Sequence, residues 1–260
     1  MLWLYDIPTT LLAGLFAVVF VGVTWAGTIF IRPIFRLLLR RQPGINDLVG
    51  VILSGHCAFF GLLLGLLAVA AYQNLSDVER TVNREAGYLR AIFRSLTDYP
   101  EPTRSETLPL IREYTRYVIE EAWPQQRRGI VSPDGVSRMN AIQGKLFSYE
   151  PQTKAQEIIH GQTIAQFAAM AEVRRARIQG VDTGIPALMW YVVLVGSVIT
   201  IMLLWMLDMK LVPQLLLSGM LTLFLSTVIC LIFVMDRPFR GAISVGPDAY
   251  EAIYKRMTIP

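Results

Sequence analysis

Four long apolar runs, separated by polar segments of very unequal length, dominate the pattern along the chain. Residues 11–31, LLAGLFAVVFVGVTWAGTIFI, carry no charge, and further runs cover about 49–71, 186–207 and 211–235. Each approaches the ~20 residues that a helix needs to cross about 30 Å of hydrocarbon. A buried core helix would explain one such run, but four in 260 residues point to membrane spans. The first run does not read as a secretory signal. No basic residue precedes it, and Arg32 and Arg36 follow it instead of small residues.

Between the second and third runs the apolar period becomes helical and amphipathic. Leu75, Val78, Val82, Ala86, Leu89, Phe93 and Leu96 recur three or four residues apart, which places them on one helix face. The stretch GLLLGLLAVAAYQNLSDVERTVNREAGYL, residues 61–89, passes from bilayer-like to charged with no proline or turn cluster. It predicts one helix running from membrane into water, stopped by the prolines of DYPEPT.

A second soluble helix is expected over Ser105 to Trp123, with Ile111, Tyr114 and Val118 inward. A third starts with Ser132 as N-cap and Pro133 at the first helical position, and turns Val136, Met139, Ile142 and Leu146 inward. A fourth covers about Thr153 to Gln179. No alternating strand pattern appears. The expected fold class is therefore all-α. Two spans and a basic linker occupy residues 1–72, a helical soluble domain 73–184, two further spans 185–236 and a tail 237–260.

Composition supports this reading: 53% of residues are hydrophobic and only 17% charged, against about 25% charged in soluble proteins. The net charge of +4 does not imply nucleic acid. Arg80, Arg84, Glu85 and Arg90, like Glu113, Arg116, Glu120 and Glu121, interleave both signs and read as solvated helix faces. Cys57 and Cys230 fall inside spans, and His56 and His160 have no second ligand at metal-binding spacing, so neither a metal nor a cofactor is expected. GxSxG, HExxH and Walker motifs are missing. Asp77 with Glu79 and Glu120 with Glu121 sit beside arginines and read as surface ion pairs. An enzyme is not expected.

Ionisable residues within spans mark candidate sites because they are costly there. His56 and Phe59, in SGHCAFFG, form one candidate: His56 faces a wet pore or a proton path, or it is bonded to a carbonyl near the interface. So few ionisable groups argue against a proton-driven transporter. Gly61 and Gly65 make a GxxxG suited to helix packing, with Gly55, Ala58 and Ala68 as further small positions. The sharper reading is a pore helix whose apolar side chains form a gate that closes by dewetting. Four helices cannot enclose much of a pore, so that reading requires an oligomer.

Three stretches together resemble the bacterial bestrophin-like family. They are RPIFRLLLRRQPGINDLVG before the second span, AYQNLSDVERTVNREAGYL with EAWP after it, and DRPFRGAISVGPDAYEAI near the end. The resemblance implies a homo-oligomer, with a pentamer favoured, whose second spans line the axis. It places Leu66 at the innermost neck position, with Leu62 and Ala58 one and two turns earlier. LGLLAVAAY keeps Leu64, Gly65 and Tyr72 of the bestrophin pattern, but Leu67 stands at its arginine position, and Leu75 and Ser76 stand at its tryptophans. Pro238 and Phe239 match its C-terminal block. The acidic run that binds calcium in animal bestrophins is missing, so no calcium gating is expected.

The expectation is an ion channel, anion-preferring, in the lipid of a bacterial cytoplasmic membrane. The rival is a non-conducting scaffold or sensor whose helical domain holds a protein partner. Orientation is divided. Arg32, Arg36, Arg40 and Arg41 after the first span put the soluble domain outside. Arg80, Arg84, Arg90, Arg174, Arg175, Arg177, Arg237 and Arg240, with the family resemblance, put it in the cytoplasm.

Overall fold

The computed structural model describes residues 4–5, 7–39 and 44–258. The described residues are helical, without strands. In chain order they form α1 (Thr9–Phe30), α2 (Arg32–Leu39), α3 (Ile45–Thr97), α4 (Thr103–Tyr117), a π-helical turn (Val118–Ala122), α5 (Trp123–Arg127), α6 (Asp134–Phe147), α7 (Lys154–Gly180), α8 (Ala187–Met206), α9 (Leu211–Met235) and α10 (Asp248–Thr258). By length and composition α1, α3, α8 and α9 can each cross a membrane. α3 runs 53 residues without a break, as the absence of a helix breaker between 61 and 89 predicts. Arg40 and Arg41 of the basic linker lie outside the described residues.

Contacts divide the chain into two compact units. The first contains residues up to Asn74, Gly184–Arg237 and Gly241–Ile243. Its main core joins Phe60 and Leu64 of α3 to Val193 of α8 and Leu225, Ile229 and Ile232 of α9. Hydroxyls in these apolar helices are satisfied within their own helix: Thr24 donates to the Phe20 carbonyl at 2.8 Å, Ser197 to Val193 at 2.7 Å and Thr222 to Ser218 at 2.8 Å. That is the solution lipid requires, since it offers no competing partner. Two indoles are among the groups that join one helix to another. Trp205 Nε1 donates to the Thr24 carbonyl and Trp25 Nε1 to the Leu215 carbonyl, both at 3.0 Å.

The second unit contains Leu75–Thr183, Pro238–Arg240 and Ser244–Pro260, so most of the C-terminal segment packs here. Val78, Val82, Ala86, Leu89 and Leu96 of α3 are buried as their spacing predicts, Leu75 and Phe93 lie partly buried against them, and Ile92 joins the core. Ile111 and Tyr114 of α4, Met139, Ile142 and Leu146 of α6, Met170 of α7 and Tyr250 of α10 complete it.

Several local expectations need correction. The helix expected over 105–123 starts at Thr103 and widens into the π-turn at Val118 before α5. α6 begins at Asp134, because Ser132 Oγ accepts the Asp134 amide at 3.2 Å and Pro133 caps the helix from outside it. Val136 is exposed, since the inward stripe of α6 runs through Gly135, Met139, Ile142 and Leu146. Glu85, read as a member of a solvated face, is buried against Arg177.

Candidate functional site

The first half of α3 has two unlike faces. Val49, Phe60, Leu64 and Ala71 are buried, and Phe60 and Leu64 belong to the first unit's core. On the other side Ala58 is exposed, and Leu62 and Leu66 are 63% and 64% exposed. They stand four residues apart, so about 40° separates neighbours and the three form one ridge. Phe59 is 79% exposed beside that ridge. All the expected neck positions therefore lie together on a surface no part of the described subunit covers.

His56 is turned away from that ridge, toward α8. Its Nε2 lies 3.1 Å from the Gly196 carbonyl and 2.9 Å from Thr200 Oγ1. Thr200 already donates its hydroxyl proton to the Gly196 carbonyl at 2.9 Å. Both acceptors thus require Nε2 to carry a hydrogen and donate it. The imidazole also stacks on Phe60, with centroids 5.4 Å apart. Of the two readings the sequence left open for His56, this is the carbonyl-bonded geometry.

Gly61 and Gly65 are exposed, and a Cβ built at either meets nothing within 4 Å. They do not mediate close helix packing inside the subunit. With Cys57, Phe60, Leu64 and Leu225 they line an apolar groove of about 330 Å³ between α3 and α9. The close approaches are made elsewhere: Gly27 against the Trp205 indole, Gly196 against the Phe60 ring and Gly219 against Trp25. A Cβ at Gly27 or Gly196 would collide with the facing ring. Sequence spacing favoured the GxxxG. The missed signal was single glycines in apolar runs that also contain tryptophan and phenylalanine.

At the start of α3, Asn46 makes two hydrogen bonds with the backbone of Asp208 in the α8–α9 connection. Its Nδ2 donates to the Asp208 carbonyl and its Oδ1 accepts the Asp208 amide, both at 2.8 Å. The Asp208 carboxylate lies 3.9 Å from the Arg32 guanidinium, which also donates to the Met209 carbonyl. At the C-terminal end of α9, Asp236 accepts the Tyr5 hydroxyl at 3.0 Å and the Ile185 amide at 2.5 Å.

The second unit contains the most strongly coupled polar group. Arg177 Nε and Nη2 donate to the two oxygens of Glu85 at 2.7 and 3.3 Å, and Nη1 donates to Gln126 Oε1 at 2.5 Å. The Tyr114 hydroxyl donates to Glu85 Oε1 at 3.1 Å. The guanidinium also lies over the rings of Trp123 and Tyr250, at 5.6 and 5.8 Å from their centroids. Burial, the largest single influence, would lower the pKa of Arg177, but Glu85 together with Tyr250 and Tyr114 outweighs it and holds the guanidinium above its ordinary range. Burial, and then the Glu85 charge, push the Tyr114 phenol up. These groups are enclosed by protein and serve as an internal clasp rather than a reaction centre. No cluster of metal-ligating side chains is present among the described residues.

The family model of the bestrophin-like domain matches residues 18–250, nearly the whole chain. The chain belongs to the bestrophin-like family. Solved structures with the bestrophin fold align along almost their full length. One mutant of a bacterial bestrophin homolog from Klebsiella pneumoniae matches with a TM-score of 0.68 and 12% identity, covering 94% of this chain and 99% of that one. A second crystal structure of that homolog, from Zn-SAD phasing, gives 0.66 and 12%, covering 92% and 96%. No curated protein matches the sequence. At such identity the likeness concerns the fold alone; the four apolar helices and the family model make this bestrophin-like chain an all-α membrane protein.

Proposed function

We propose that this bestrophin-like protein is an oligomeric, anion-preferring ion channel whose pore is lined by the membrane half of α3. The observation that carries this reading is the ridge of Ala58, Leu62 and Leu66, left uncovered on one side of a helix whose other side is buried. A ring of such leucines repeated around an axis would give a dry constriction that wets when it widens. One subunit presents only one wall, so the proposal requires several copies, and family likeness favours five. The setting is the cytoplasmic membrane of a bacterium, with the helical unit on the cytoplasmic side. His56 is part of the wall's support from α8 rather than its lining.

The test is reconstitution of the purified protein in liposomes, with chloride and potassium flux measured separately. Ion flux with a chloride preference is the expected result. Silence in vesicles shown to contain folded oligomer would sink the channel reading and favour a scaffold that acts through a bound partner.

A further inference from the structure

In the second unit α3 carries a row of arginines. At about 100° per residue, Arg80, Arg84 and Arg94 lie within about 40° of one line along the helix. The helix is unbroken between them, and all three residues are exposed. From Arg80 to Arg94 the only carboxylate in α3 is Glu85, which is buried and bonded to Arg177. Arg84 and Arg94 make no ion pair with any described residue. Arg80 is partly offset by Asp77 at 3.5 Å and donates to Ser76 Oγ at 3.1 Å.

We propose that Arg80, Arg84 and Arg94 are the ion-selecting residues of this protein, a basic row on the second unit's part of α3 that gathers small inorganic anions and repels cations. The inference rests on the channel reading above and assigns its selectivity to particular residues outside the apolar half. Its physical basis is twofold. Side chains of one sign along one wall concentrate counter-ions, and copies around an axis multiply the field. Arginine keeps its charge throughout the usable pH range, so the preference does not titrate away near neutrality. Leu62 and Leu66 can block or pass ions but carry no charge with which to distinguish their sign.

One carboxylate faces this row from another helix. Glu172 of α7 shares a shallow groove with Arg84, Thr81 and Tyr88 and forms no ion pair there. It opposes the arginines, so its removal should act in the opposite direction.

The experiment measures reversal potentials of the full chain in liposomes under a potassium chloride gradient. Arg80→Gln, Arg84→Gln and Arg94→Gln combined should reduce the chloride-to-potassium permeability ratio by about threefold or more. Arg84→Gln alone should give a smaller fall, and Glu172→Gln a rise. Lys154→Gln, which removes an exposed positive charge in the first turn of α7, should leave the ratio unchanged. The differences should shrink as salt rises, since screening shortens from about 10 Å at 0.1 M to about 3 Å at 1 M. A conducting wild type whose ratio is the same in the triple variant, or which prefers potassium, overturns this assignment and leaves the pore standing. A wild type that passes no ions overturns the channel reading, and this assignment with it. Helicity and oligomer size of each variant, expected to match wild type, separate lost selectivity from lost folding.

Discussion

Arg177 of α7 and Glu85 of α3, 92 residues apart in sequence, meet through two hydrogen bonds with both side chains at most 1% exposed. Gln126 and Tyr114 take up further polar atoms of the pair, and the rings of Trp123 and Tyr250 flank the guanidinium. The clasp thus draws together α3, α4, α5, α7 and α10 in the second unit. Breaking a buried pair from one side leaves an unpaired charge. Arg177→Met or Glu85→Leu should therefore cost about 3–5 kcal/mol of stability. The Glu85→Leu/Arg177→Met double variant should lose less than the two singles added together. Thermal unfolding in detergent checks this, and an Arg177→Met protein as stable as wild type would remove the clasp from the stability argument.

The same cluster predicts loss of stability in alkali. Tyr114 has a raised pKa in the folded state, from burial first and from the Glu85 charge second. An unfolded tyrosine titrates near pH 10. Below that pH the contribution of Tyr114 is complete. As pH rises above it, the unfolded chain ionises first and the contribution is lost. Melting temperatures followed from about pH 8 to 11 should fall less steeply in Tyr114→Phe than in wild type. Parallel curves would mean that another group governs alkaline unfolding.

On the exposed ridge of α3, truncation should affect conduction and not folding. Leu62→Ala or Leu66→Ala uncovers little, since both side chains are about two-thirds exposed in the subunit. Each should leave unfolding within about 1 kcal/mol of wild type while raising ion leak severalfold in liposomes. Unchanged flux from both variants would take these leucines out of the constriction.

Asn46 gives a test of connection geometry. An amide is the group that can both donate to the Asp208 carbonyl and accept its amide hydrogen. Asn46→Ala should cost about 1 kcal/mol at this exposed position. Asn46→Asp should cost at least as much, because a carboxylate would face the carbonyl it formerly bonded. Thermal unfolding of the two variants decides it, and a more stable Asn46→Asp protein would mean that the paired geometry does not persist in solution.

Gly196 belongs to the same class of test. An added methyl would meet the Phe60 ring, itself stacked on His56. Gly196→Ala should destabilise the protein by about 1–3 kcal/mol through overpacking, whereas Gly61→Ala, facing open space within the subunit, should not. If Gly61→Ala is neutral in folding but alters oligomer size, the exposed glycine stripe acts between copies.

Much of the fold is legible in the chain alone. Runs of about 20 uncharged residues satisfy a bilayer whatever their neighbours do, so the four apolar helices follow from local composition. The continuity of α3 follows from the absence of any breaker between its halves, and its inward face in the second unit from the spacing of Val78, Val82, Ala86 and Leu89. The family resemblance singled out Ala58, Leu62 and Leu66 as neck positions; the three are exposed in the subunit, and flux measurements decide their role.

Tertiary structure alone decided the rest, because the deciding partners are distant in sequence. A glutamate among arginines looks solvated until Arg177 and Tyr114 arrive to satisfy it, and then burial becomes tolerable. Likewise, a glycine's role depends on which ring lies opposite. That is why Gly27, Gly196 and Gly219 hold close contacts while Gly61 and Gly65, with the more suggestive spacing, face open space in the subunit. Val136 shows the same limit on a smaller scale. Its spacing suited the core, but the buried face of α6 runs through Gly135, Met139, Ile142 and Leu146. Periodicity and composition report what a segment can bury, whereas the partner that buries it is chosen only when the chain closes on itself.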